Sequence, residues 1–352
     1  MNERPRSRKG APGIVEVAKR AGVSPATVSR YFNTPSVVRG PTQKRIEQAA
    51  SDLGYIRDRM AGSMHNRFSG TIGLIVPTID NAIFAEMIEA FSTRLVQHDR
   101  TMLIAAHGYD LDRETAIVRS LLERRIDGVA LVGFDHAQVP LTMLSQRDVP
   151  AISIWNYAPN ALLPCIGADN FEAGQLVTNH ILDLGHRKTV FLFANTKGND
   201  RARDRLEGAK TAAKSYGLGS DEITVFDCSY DIGEAKQRVT EILKQKDCTA
   251  LICGNDVIAH GALFACQALG LSVPHDVSIV GIGDFRGSAH MEPGLTTVRL
   301  PARKIGTMAA DALVDMNEMG AAAEPFRHKV PLTFMDRGST APPNTAEPKR
   351  HD

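Results

Sequence analysis

The sequence predicts two kinds of structure in one chain: a small all-α helix-turn-helix unit, followed by an α/β core of two parallel-sheet subdomains. Three observations predict this division. Residues 1–65 are basic and carry three short helical patterns. From Thr71 onward, apolar strands alternate with helical segments. A length of 352 residues is enough for two substantial cores.

Charge is distributed unevenly along the chain. Residues 1–65 contain 12 Lys and Arg against 5 Asp and Glu, whereas residues 66–352 contain 29 against 35. A basic segment attached to a slightly acidic body is typical of a protein that binds a polyanion such as nucleic acid. A solvated basic tail is the alternative interpretation.

The composition excludes several classes of protein. With 43% hydrophobic and 23% charged residues, the chain resembles an ordinary globular protein. The five cysteines are odd in number and show no CxxC spacing, which favours buried thiols in a reducing compartment. The polar start "MNERPRSRKGAPG" is not a secretory signal, and no run approaches the roughly 20 apolar residues of a membrane span. We therefore expect a cytoplasmic protein without membrane contact.

Three short helical patterns follow a flexible basic arm of residues 1–13, and they cover Ile14–Ala21, Pro25–Phe32 and Thr42–Leu53. Gly22 ends the first helix, while Ser24 is an N-cap candidate with Pro25 at the first helical position. In the third pattern, apolar residues recur at i, i+3, i+4 and i+7 from Ile46. Two short helices joined by a tight turn that contains glycine form a helix-turn-helix motif.

The second helix carries side chains suited to reading DNA. In a helix-turn-helix, the N-terminal part of this helix lies in the major groove. Arg30 can donate two hydrogen bonds to guanine, and Ser or Thr can contact base edges or phosphates. An exposed arginine on a solvated helix is the alternative. The candidate DNA-binding residues are Ser24, Pro25, Ala26, Thr27, Ser29, Arg30 and Asn33.

A linker follows, in which "RMAGSM" can form one or two helical turns. A helix this short is marginal in water, and Gly62 costs it roughly 1 kcal/mol relative to alanine. We expect this segment to be disordered in the isolated protein.

Eight apolar strands are predicted after the linker, in two groups of four separated near residues 158–187. They are "TIGLIVP", "TMLIAA", "DGVALVG", "PAISIW", "TVFLFA", "EITVFD", "TALICG" and "VSIVGIG". Near-continuous apolar strands that alternate with helices predict parallel sheets covered on both faces. The polar, Pro-rich residues 341–352 predict a disordered tail.

Ligands of parallel α/β sheets bind beyond the carboxyl ends of the strands, so the residues that follow each strand are candidates. These are Asn81 and Phe84 after the first strand, Trp155 and Asn156 after the fourth, and Asn255 and Asp256 after "TALIC". Amides, carboxylates and aromatic faces together suit a sugar. The alternatives are that Asn81 and Asp256 only cap helices and that Phe84 and Trp155 belong to the core.

Taken in order, the motifs resemble the lactose/galactose-repressor (LacI/GalR) family of bacterial transcription regulators, from about Ile14 to about Thr340. The resemblance rests on "VEVAKRAGVSPATVSRYFN", "DLGYIRDRMAGSM", "IGLIVPTIDNAIFAEMIEA", "ARDRLEG", "GNDVIAHGA", "VPHDVSIVGIGDF" and "PGLTTVRLP". It implies a DNA-binding headpiece, a hinge helix that forms on DNA, and a periplasmic-binding-protein-like core of two subdomains that close on a small effector.

The resemblance also implies boundaries and partners. The headpiece would cover residues 14–57, the hinge 58–69 and the core 70–340. The N-subdomain would consist of about residues 70–167 and 299–327, and the C-subdomain of about residues 168–298 and 328–340. Such a protein would act as a nucleoid-associated homodimer on a pseudo-palindromic operator in double-stranded DNA.

For the DNA contacts, the resemblance implies that Pro25, Ala26 and Arg30 read bases and that Thr27 and Ser29 contact the backbone. Met64 falls where the family places a leucine wedge in the minor groove, with Ala61 facing the groove floor. An ordinary linker methionine is the alternative. Arg57 and Gly62 depart from the family pattern of the hinge.

For the effector, the resemblance places Asn255 and Arg205 in the pocket, and we add Tyr230 and Asp284. Without it, Arg205 would be interpreted as a surface arginine. Gly283 replaces one of two acids common in the family, and Leu300 replaces a sugar-binding glutamine. Together with a positive wall from Arg201, Arg205 and Arg286, these departures favour a sugar acid, with a gluconate-type ligand as one candidate.

Three other functions remain open at this point. An enzyme is disfavoured because the sequence has no P-loop, GxSxG, HExxH or metal-ligand cluster, so no catalytic residue, cofactor or metal is predicted. A solute-binding protein without DNA function would lack the basic helix-turn-helix. A purine-type repressor that requires a corepressor is the third alternative.

Overall fold

The computed structural model describes residues 12–57, 68–319 and 325–344. These residues divide into two compact units between Ser69 and Gly70. The first unit contains the predicted helix-turn-helix and the second contains the predicted α/β core.

The first unit is a three-helix headpiece. Its helices are α1 (Ile14–Ala21), α2 (Pro25–Asn33) and α3 (Gly40–Leu53), with a 3-10 turn at Pro35–Val37. α2 ends one residue later than predicted, and α3 begins two residues earlier. Val17, Val28 and Ile46 are fully buried where the three helices meet.

Local chemistry fixes the turn between α1 and α2. Gly22 adopts a left-handed conformation at φ 65°, which glycine tolerates without a steric penalty. The Ser24 hydroxyl accepts a hydrogen bond from the backbone N–H of Thr27 at 3.2 Å, and Pro25 occupies the first position of α2. The predicted helix start is therefore confirmed.

The second unit contains two lobes, each built on one sheet. The first lobe begins with β1 (Thr71–Val76), α4 (Ala82–Gln97), β2 (Thr101–Ala106), α5 (Leu111–Glu123), β3 (Gly128–Val132), α6 (Gln138–Gln146), β4 (Ala151–Asn156) and β5 (Cys165–Ala168). The second lobe contains α7 (Asn170–Asp183), β6 (Thr189–Phe193), α8 (Asp200–Ser215), β7 (Thr224–Asp227), α9 (Ile232–Gln245), β8 (Ala250–Cys253), α10 (Asp256–Leu269), β9 (Ser278–Gly283) and β10 (Thr296–Arg299). The chain then returns through α11 (Ala302–Met319), β11 (Arg327–Lys329) and β12 (Thr333–Met335).

The prediction of eight strands was too low, because the described residues contain two six-stranded sheets. Their strand orders are β11-β5-β4-β3-β1-β2 and β12-β10-β9-β8-β6-β7. Every recorded pairing is parallel except β10 with β12. The chain therefore crosses between the lobes after β5, after β10 and after β11.

Two predicted boundaries shift slightly. The first sheet extends to Lys329, because β11 pairs with β5 up to the pair of Lys329 with Gly167, two residues beyond the expected return at 327. Ala341, expected to begin a disordered tail, is instead attached to the second lobe. Its carbonyl oxygen accepts a hydrogen bond from Ser278 Oγ at 3.0 Å and lies 2.8 Å from His186 Nε2.

Apolar layers cover both faces of both sheets. α4 and α11 pack on one face of the first sheet, and α5 and α6 pack on the other. α7 and α8 cover one face of the second sheet, and α9 and α10 cover the other. This arrangement brings the carboxyl ends of both sets of strands to the cleft between the lobes.

Helices α7 and α8 approach each other backbone to backbone through two glycines. A Cβ atom on Gly174 would collide with the carbonyl oxygen of Arg205, and one on Gly208 would collide with that of Phe171. Both helices therefore require glycine at these positions. This close packing fixes the position of the part of α8 that faces the cleft.

We expect Gly208→Ala to destabilise the core by about 1–3 kcal/mol, because a methyl group must displace backbone rather than a flexible side chain. Urea unfolding followed by the fluorescence of Trp155, the single tryptophan, measures this change. Gly287→Ala is the matched control, since an added Cβ there has no atom within 4 Å and its φ is −80°. Equal free energies of unfolding in the two variants would contradict the prediction.

Candidate DNA-binding surface and ligand pocket

The exposed side of α2 carries the predicted DNA contacts. Pro25, Ala26 and Arg30 are exposed, Thr27 and Ser29 are half-buried, and Ser24 is exposed just before the helix. Val28 is fully buried and packs against the other helices. Within the described residues, Arg30 forms no ion pair. Its guanidinium is therefore available to a base or a phosphate.

Asn33 and Arg57 form a contact that the sequence did not indicate. Asn33 Nδ2 donates to Ser29 Oγ at 3.3 Å, and Asn33 Oδ1 accepts a hydrogen bond from Arg57. Arg57 also donates to the carbonyl oxygen of Phe32. Arg57 thus fastens the segment after α3 to the end of α2, and Asn33 already has partners for both ends of its amide. The predicted minor-groove residues Ala61 and Met64 lie outside the described residues.

A buried pocket lies in the cleft between the two lobes. It is lined by Asn81, Ile83 and Phe84 after β1, Tyr109 after β2, Trp155 in β4, Asn199, Arg201 and Arg205 at α8, Tyr230 after β7 and Asn255 after β8. The structure therefore brings together most of the effector residues proposed from sequence. The space between the side chains is about 10 Å³, which is room for one water molecule. A ligand must therefore separate the lobes or move side chains to enter.

Three helices begin at this pocket, and each begins with an asparagine that lines it. Asn81 Oδ1 accepts from Ile83 N at 3.1 Å, Asn199 Oδ1 from Ala202 N at 3.3 Å, and Asn255 Oδ1 from Ile258 N at 3.0 Å. These bonds use the amide oxygens for N-capping and leave the amide nitrogens for other partners. Helix N-termini carry positive partial charge, so α4, α8 and α10 all favour an anion here.

Two buried hydrogen-bond donors of the pocket have no partner among the described residues. They are Trp155 Nε1 and Asn255 Nδ2, on side chains that are 1% and 0% exposed. Leaving a buried donor unsatisfied costs about 1–3 kcal/mol. Trp155 also has φ 78°, a conformation that is unusual for a bulky residue and that occurs at functional sites.

Arg205 is a buried cation without a carboxylate partner. The residue is 2% exposed, Nε donates to Asn170 Oδ1 at 2.7 Å, and Nη1 donates to the carbonyl oxygen of Gly254 at 3.0 Å. Among the described residues, no carboxylate lies within 4.0 Å of this guanidinium. Burial lowers the pKa of Arg205. Because a guanidinium is effectively always protonated in proteins, the side chain is a cation.

The neighbouring Arg201 differs, because Asp200 neutralises it. Arg201 Nη1 lies 2.6 Å from Asp200 Oδ1 and donates to the carbonyl oxygen of Val132 at 3.2 Å. Arg205 is therefore the guanidinium of the pocket that no carboxylate contacts directly, although the carboxyl of Asp256 acts on it at longer range. No carboxylate is among the residues that line the pocket.

Aromatic side chains complete the enclosure. Phe84 and Trp155 make an edge contact with ring centroids 5.1 Å apart. Tyr109 and Tyr230 lie with ring centroids 6.3 Å apart. Burial, and next the neighbouring Tyr230, raise the pKa of Tyr109 to about 12, so its hydroxyl remains a donor at neutral pH.

Two residues proposed as effector ligands do not line the pocket. Asn156 Nδ2 donates to Asp200 at 2.9 Å and to Asp204 at 2.7 Å, and its Oδ1 accepts from Asn170 at 2.9 Å. Its amide is therefore fully used in joining the lobes. Asp284 is held by Arg299 and Arg337, each at 2.6 Å, in an adjoining crevice that shares Ile83 and Trp155 with the pocket.

Arg286 does not extend the positive wall. It pairs with Glu86 at 3.2 Å and lies 3.7 Å from Glu89, both on α4. The expected wall from Arg201, Arg205 and Arg286 is therefore reduced to Arg205 and the partly neutralised Arg201. The contact of Arg286 with α4 joins the two lobes instead.

The start of α8 also joins the lobes. Asp200 accepts a hydrogen bond from Phe134 N at 3.0 Å, and Arg203 binds Asp135 with two bonds of 3.0 Å. The same helix carries Arg201 and Arg205 into the pocket. A ligand that moves α8 would therefore change contacts with the first lobe directly.

Sequence reasoning missed Ile83, Tyr109 and Asn199. Tyr109 follows β2 as the other candidates follow their strands, and Asn199 precedes a clear helical pattern, so both could have been found by position. The described residues contain no group of three or more His, Cys, Asp or Glu side chains arranged for a metal ion. Nor do they contain a helix long and apolar enough to span a membrane.

Two family models match the chain. Residues 13–58 match the model described as bacterial regulatory proteins, lacI family. Residues 69–337 match the model described as periplasmic binding proteins and sugar binding domain of LacI family. The second match alone covers more than half of the chain and contains every residue of the pocket.

Individual proteins that resemble this chain agree with the two family models. The chain is 31% identical over 309 residues to the HTH-type transcriptional regulator GntR of Escherichia coli (strain K12), covering 87% of this chain and 92% of that one. It is 31% identical over 304 residues to the HTH-type transcriptional repressor PurR of Aliivibrio salmonicida (strain LFI1238), covering 86% and 91%. In fold, it resembles the lac repressor dimer bound to operator and the anti-inducer ONPF, with a TM-score of 0.81 and 24% identity over 94% of this chain and all of that one.

The raised pKa of Tyr109 predicts a specific dependence of stability on pH. Because the folded-state pKa of about 12 exceeds the ordinary 10, ionisation favours the unfolded chain. The contribution of Tyr109 is present in full below pH 10 and is lost as the pH rises from 10 to 12. Between pH 9 and pH 11, Tyr109→Phe should therefore lose less stability than the wild type in urea unfolding, whereas Tyr157→Phe, outside the pocket, should follow the wild type. Parallel losses in all three proteins would contradict this expectation.

Proposed function

The chain belongs to the LacI family of bacterial regulatory proteins, and we propose that it is a homodimeric repressor whose effector is a sugar acid bound at Arg205. As a member of this family, it is a DNA-binding transcriptional regulator with an effector-binding core. The buried Arg205, which has no carboxylate partner, is the observation that carries the identity of the effector class. Its site of action would be the cytoplasm.

Operator recognition is assigned to α2. Arg30 is the exposed side chain of this helix best able to distinguish bases, because Pro25 and Ala26 offer only apolar contacts such as those with a thymine methyl group. Thr27 and Ser29 are placed to contact the phosphate backbone. Two headpieces related by a two-fold axis would bind a pseudo-palindrome.

A homodimer is supported by unpartnered edges of the core. β2 is an edge strand of the first sheet and exposes Ile104, while Val96 at the end of α4 is 68% exposed and Phe264 on α10 is 40% exposed. Edge strands and exposed apolar side chains favour association. The lac repressor structure that the fold resembles is a dimer on its operator.

A sugar acid fits the pocket because the pocket offers donors and positive charge. An unpaired buried cation is costly, and a carboxylate can accept two hydrogen bonds from a guanidinium. The free donors Trp155 Nε1 and Asn255 Nδ2 suit the hydroxyl and carboxylate oxygens of the same ligand. The rings of Phe84 and Trp155 suit the apolar side of its carbon chain.

The proposed mechanism couples the pocket to the lobes through α8. A carboxylate that binds Arg205 would pull α8 toward the ligand. The same helix forms hydrogen bonds with Phe134 and Asp135 of the first lobe. Effector binding would thereby change the separation of the lobes and the spacing of the hinge segments. Because the coupling is thermodynamic, operator binding must change effector affinity by the same factor.

Arg30→Ala tests the DNA contact. We expect it to weaken binding to an operator selected in vitro by about 1–3 kcal/mol and to relax the preference at one base pair per half-site, because a bidentate contact with guanine is lost. Fluorescence anisotropy on the selected operator and on random DNA measures both effects. Lys44→Ala, which removes an exposed cation from α3, is the control and should affect both DNAs alike. An equal loss on both DNAs for Arg30→Ala would reduce Arg30 to a phosphate contact.

Arg205→Met tests the effector class. Calorimetry of the full chain against sugar acids, neutral sugars, sugar phosphates and purines should give binding among the acids. Arg205→Met should weaken that binding by about 2–5 kcal/mol, or ~30-fold and more, because the ligand charge loses its partner. Arg238→Met is the matched control, since Arg238 pairs with Glu241 on its own helix, α9, outside the pocket, and the variant should bind normally. Binding of a neutral sugar or a purine and of no acid would overturn the proposed class.

A further inference from the structure

A second, open cavity adjoins the buried pocket. Its volume is about 500 Å³, and we call it the vestibule. Tyr109, Asn199 and Tyr230 line both the vestibule and the buried pocket. These three side chains therefore form the partition between the two spaces. The vestibule is within the size range of small-molecule sites.

The remaining walls of the vestibule come from the ends of β6 and β7. They contribute an amide, a cation, a carboxylate and a hydroxyl from Asn195, Lys197, Asp227 and Ser229. Lys197 and Asp227 are both exposed, and neither forms an ion pair within the described residues. The positive charge of Lys197 and the negative charge of Asp227 therefore give the vestibule no net formal charge. The buried pocket, in contrast, contains the positive charge of Arg205.

The tyrosine partition has the geometry of a binding surface. The rings of Tyr109 and Tyr230 are inclined by 31° with centroids 6.3 Å apart, and they come from opposite lobes. Asn199 Nδ2 donates to the hydroxyl of Tyr230 at 3.2 Å, which orients that ring. Tyr109 has φ 62°, a left-handed conformation that costs of order 1–3 kcal/mol in a non-glycine residue. The fold thus maintains a strained backbone in order to place this ring over the pocket.

We propose that the vestibule is a second effector subsite for an uncharged sugar unit, so that the effector is a sugar acid extended by one sugar residue. This inference rests on the proposed binding of an acid at Arg205. The acid unit would occupy the inner pocket, and the second unit would extend past Asn199 onto the faces of Tyr109 and Tyr230. Aromatic faces with neighbouring amide and hydroxyl groups are suited to an uncharged sugar ring, and the opposite charges of Lys197 and Asp227 give the vestibule no net attraction for a second charged group.

The vestibule could serve a single-unit acid as an entrance only, or it could bind the second unit of an extended acid. The contacts available at the partition favour the extended acid. The inner pocket has room for about one water molecule, so even a single-unit acid must displace the partition or separate the lobes. An extended ligand contacts the tyrosines of both lobes from the inner pocket and also from the vestibule. It therefore makes more contacts that depend on the distance between the lobes. Such a ligand stabilises one lobe separation more strongly than a ligand confined to the inner pocket.

Calorimetry on the full chain with matched acids tests the inference. Gluconate is compared with cellobionate, maltobionate and lactobionate, which carry a glucosyl or galactosyl unit on the same acid, and xylonate is compared with xylobionate. Cellobiose lacks the acid, and 6-phosphogluconate carries a charge in place of the second sugar. We expect at least one extended acid to bind at least tenfold more tightly than its parent acid. We expect 6-phosphogluconate to show no such gain over gluconate.

Asp227→Trp fills the vestibule from the end of β7, and Asp221→Trp is its control on an exposed acid before the same strand. We expect Asp227→Trp to reduce the gain from the second unit, measured as the ratio of the affinities for the extended acid and its parent, to less than threefold. The control should retain the full gain. Lower affinity for both acids in Asp227→Trp, with the gain unchanged, would overturn the subsite.

The two proposals fail in different ways. If a parent acid binds but none of its extended forms gains affinity, the second subsite is wrong and the sugar-acid effector stands. If no acid binds, or if only cellobiose binds, the proposed effector class is wrong and the inference is overturned with it.

Discussion

The cleft is organised around one buried charge, the guanidinium of Arg205. Its hydrogen bonds to Asn170 Oδ1 and to the carbonyl oxygen of Gly254 hold it in place but do not neutralise it. A buried cation paired only with neutral acceptors is tolerated at a cost in stability, and that cost is recovered when an anion binds. The position of Arg205 depends in turn on the contact of Gly174 and Gly208 between α7 and α8, because any side chain there would displace the helix that carries it.

The same helix makes the pocket sensitive to the arrangement of the lobes. Asp200 and Arg203, at the start of α8, bind Phe134 and Asp135 of the first lobe, while Arg205 lies one turn further along and faces the ligand. A force applied at Arg205 is therefore transmitted through a single rigid element. Each lobe also contributes aromatic side chains to the walls of the pocket. A ligand that contacts both sets of side chains therefore favours one particular distance between the two lobes.

The sequence predicted those elements whose side chains are apolar and periodic. The three headpiece helices and the eight central strands have a clear pattern, because each buries a face against neighbours. β5, β10, β11 and β12 were missed for the opposite reason. They are three or four residues long, which is too short for a repeating pattern, and "RHK" of β11 is fully exposed at the sheet edge, although β5 and most of β10 are buried. Their pairing is set by partners distant in the sequence, which no local pattern records.

The sequence predicted which residues lie near the candidate site, but it did not predict which hydrogen bonds they form. Asn156 and Asp284 do lie near the cleft, yet their polar atoms are fully used by Asp200, Asp204, Arg299 and Arg337, and these partners come from other elements. The hydrogen bonds of the pocket asparagines explain its chemistry more fully. Each of the three uses its amide oxygen to cap a helix N-terminus, and the amide nitrogen of Asn255 is left as a buried donor without a partner among the described residues. The proposed preference for an anion would thus follow from how α4, α8 and α10 begin, as much as from the arginine between them.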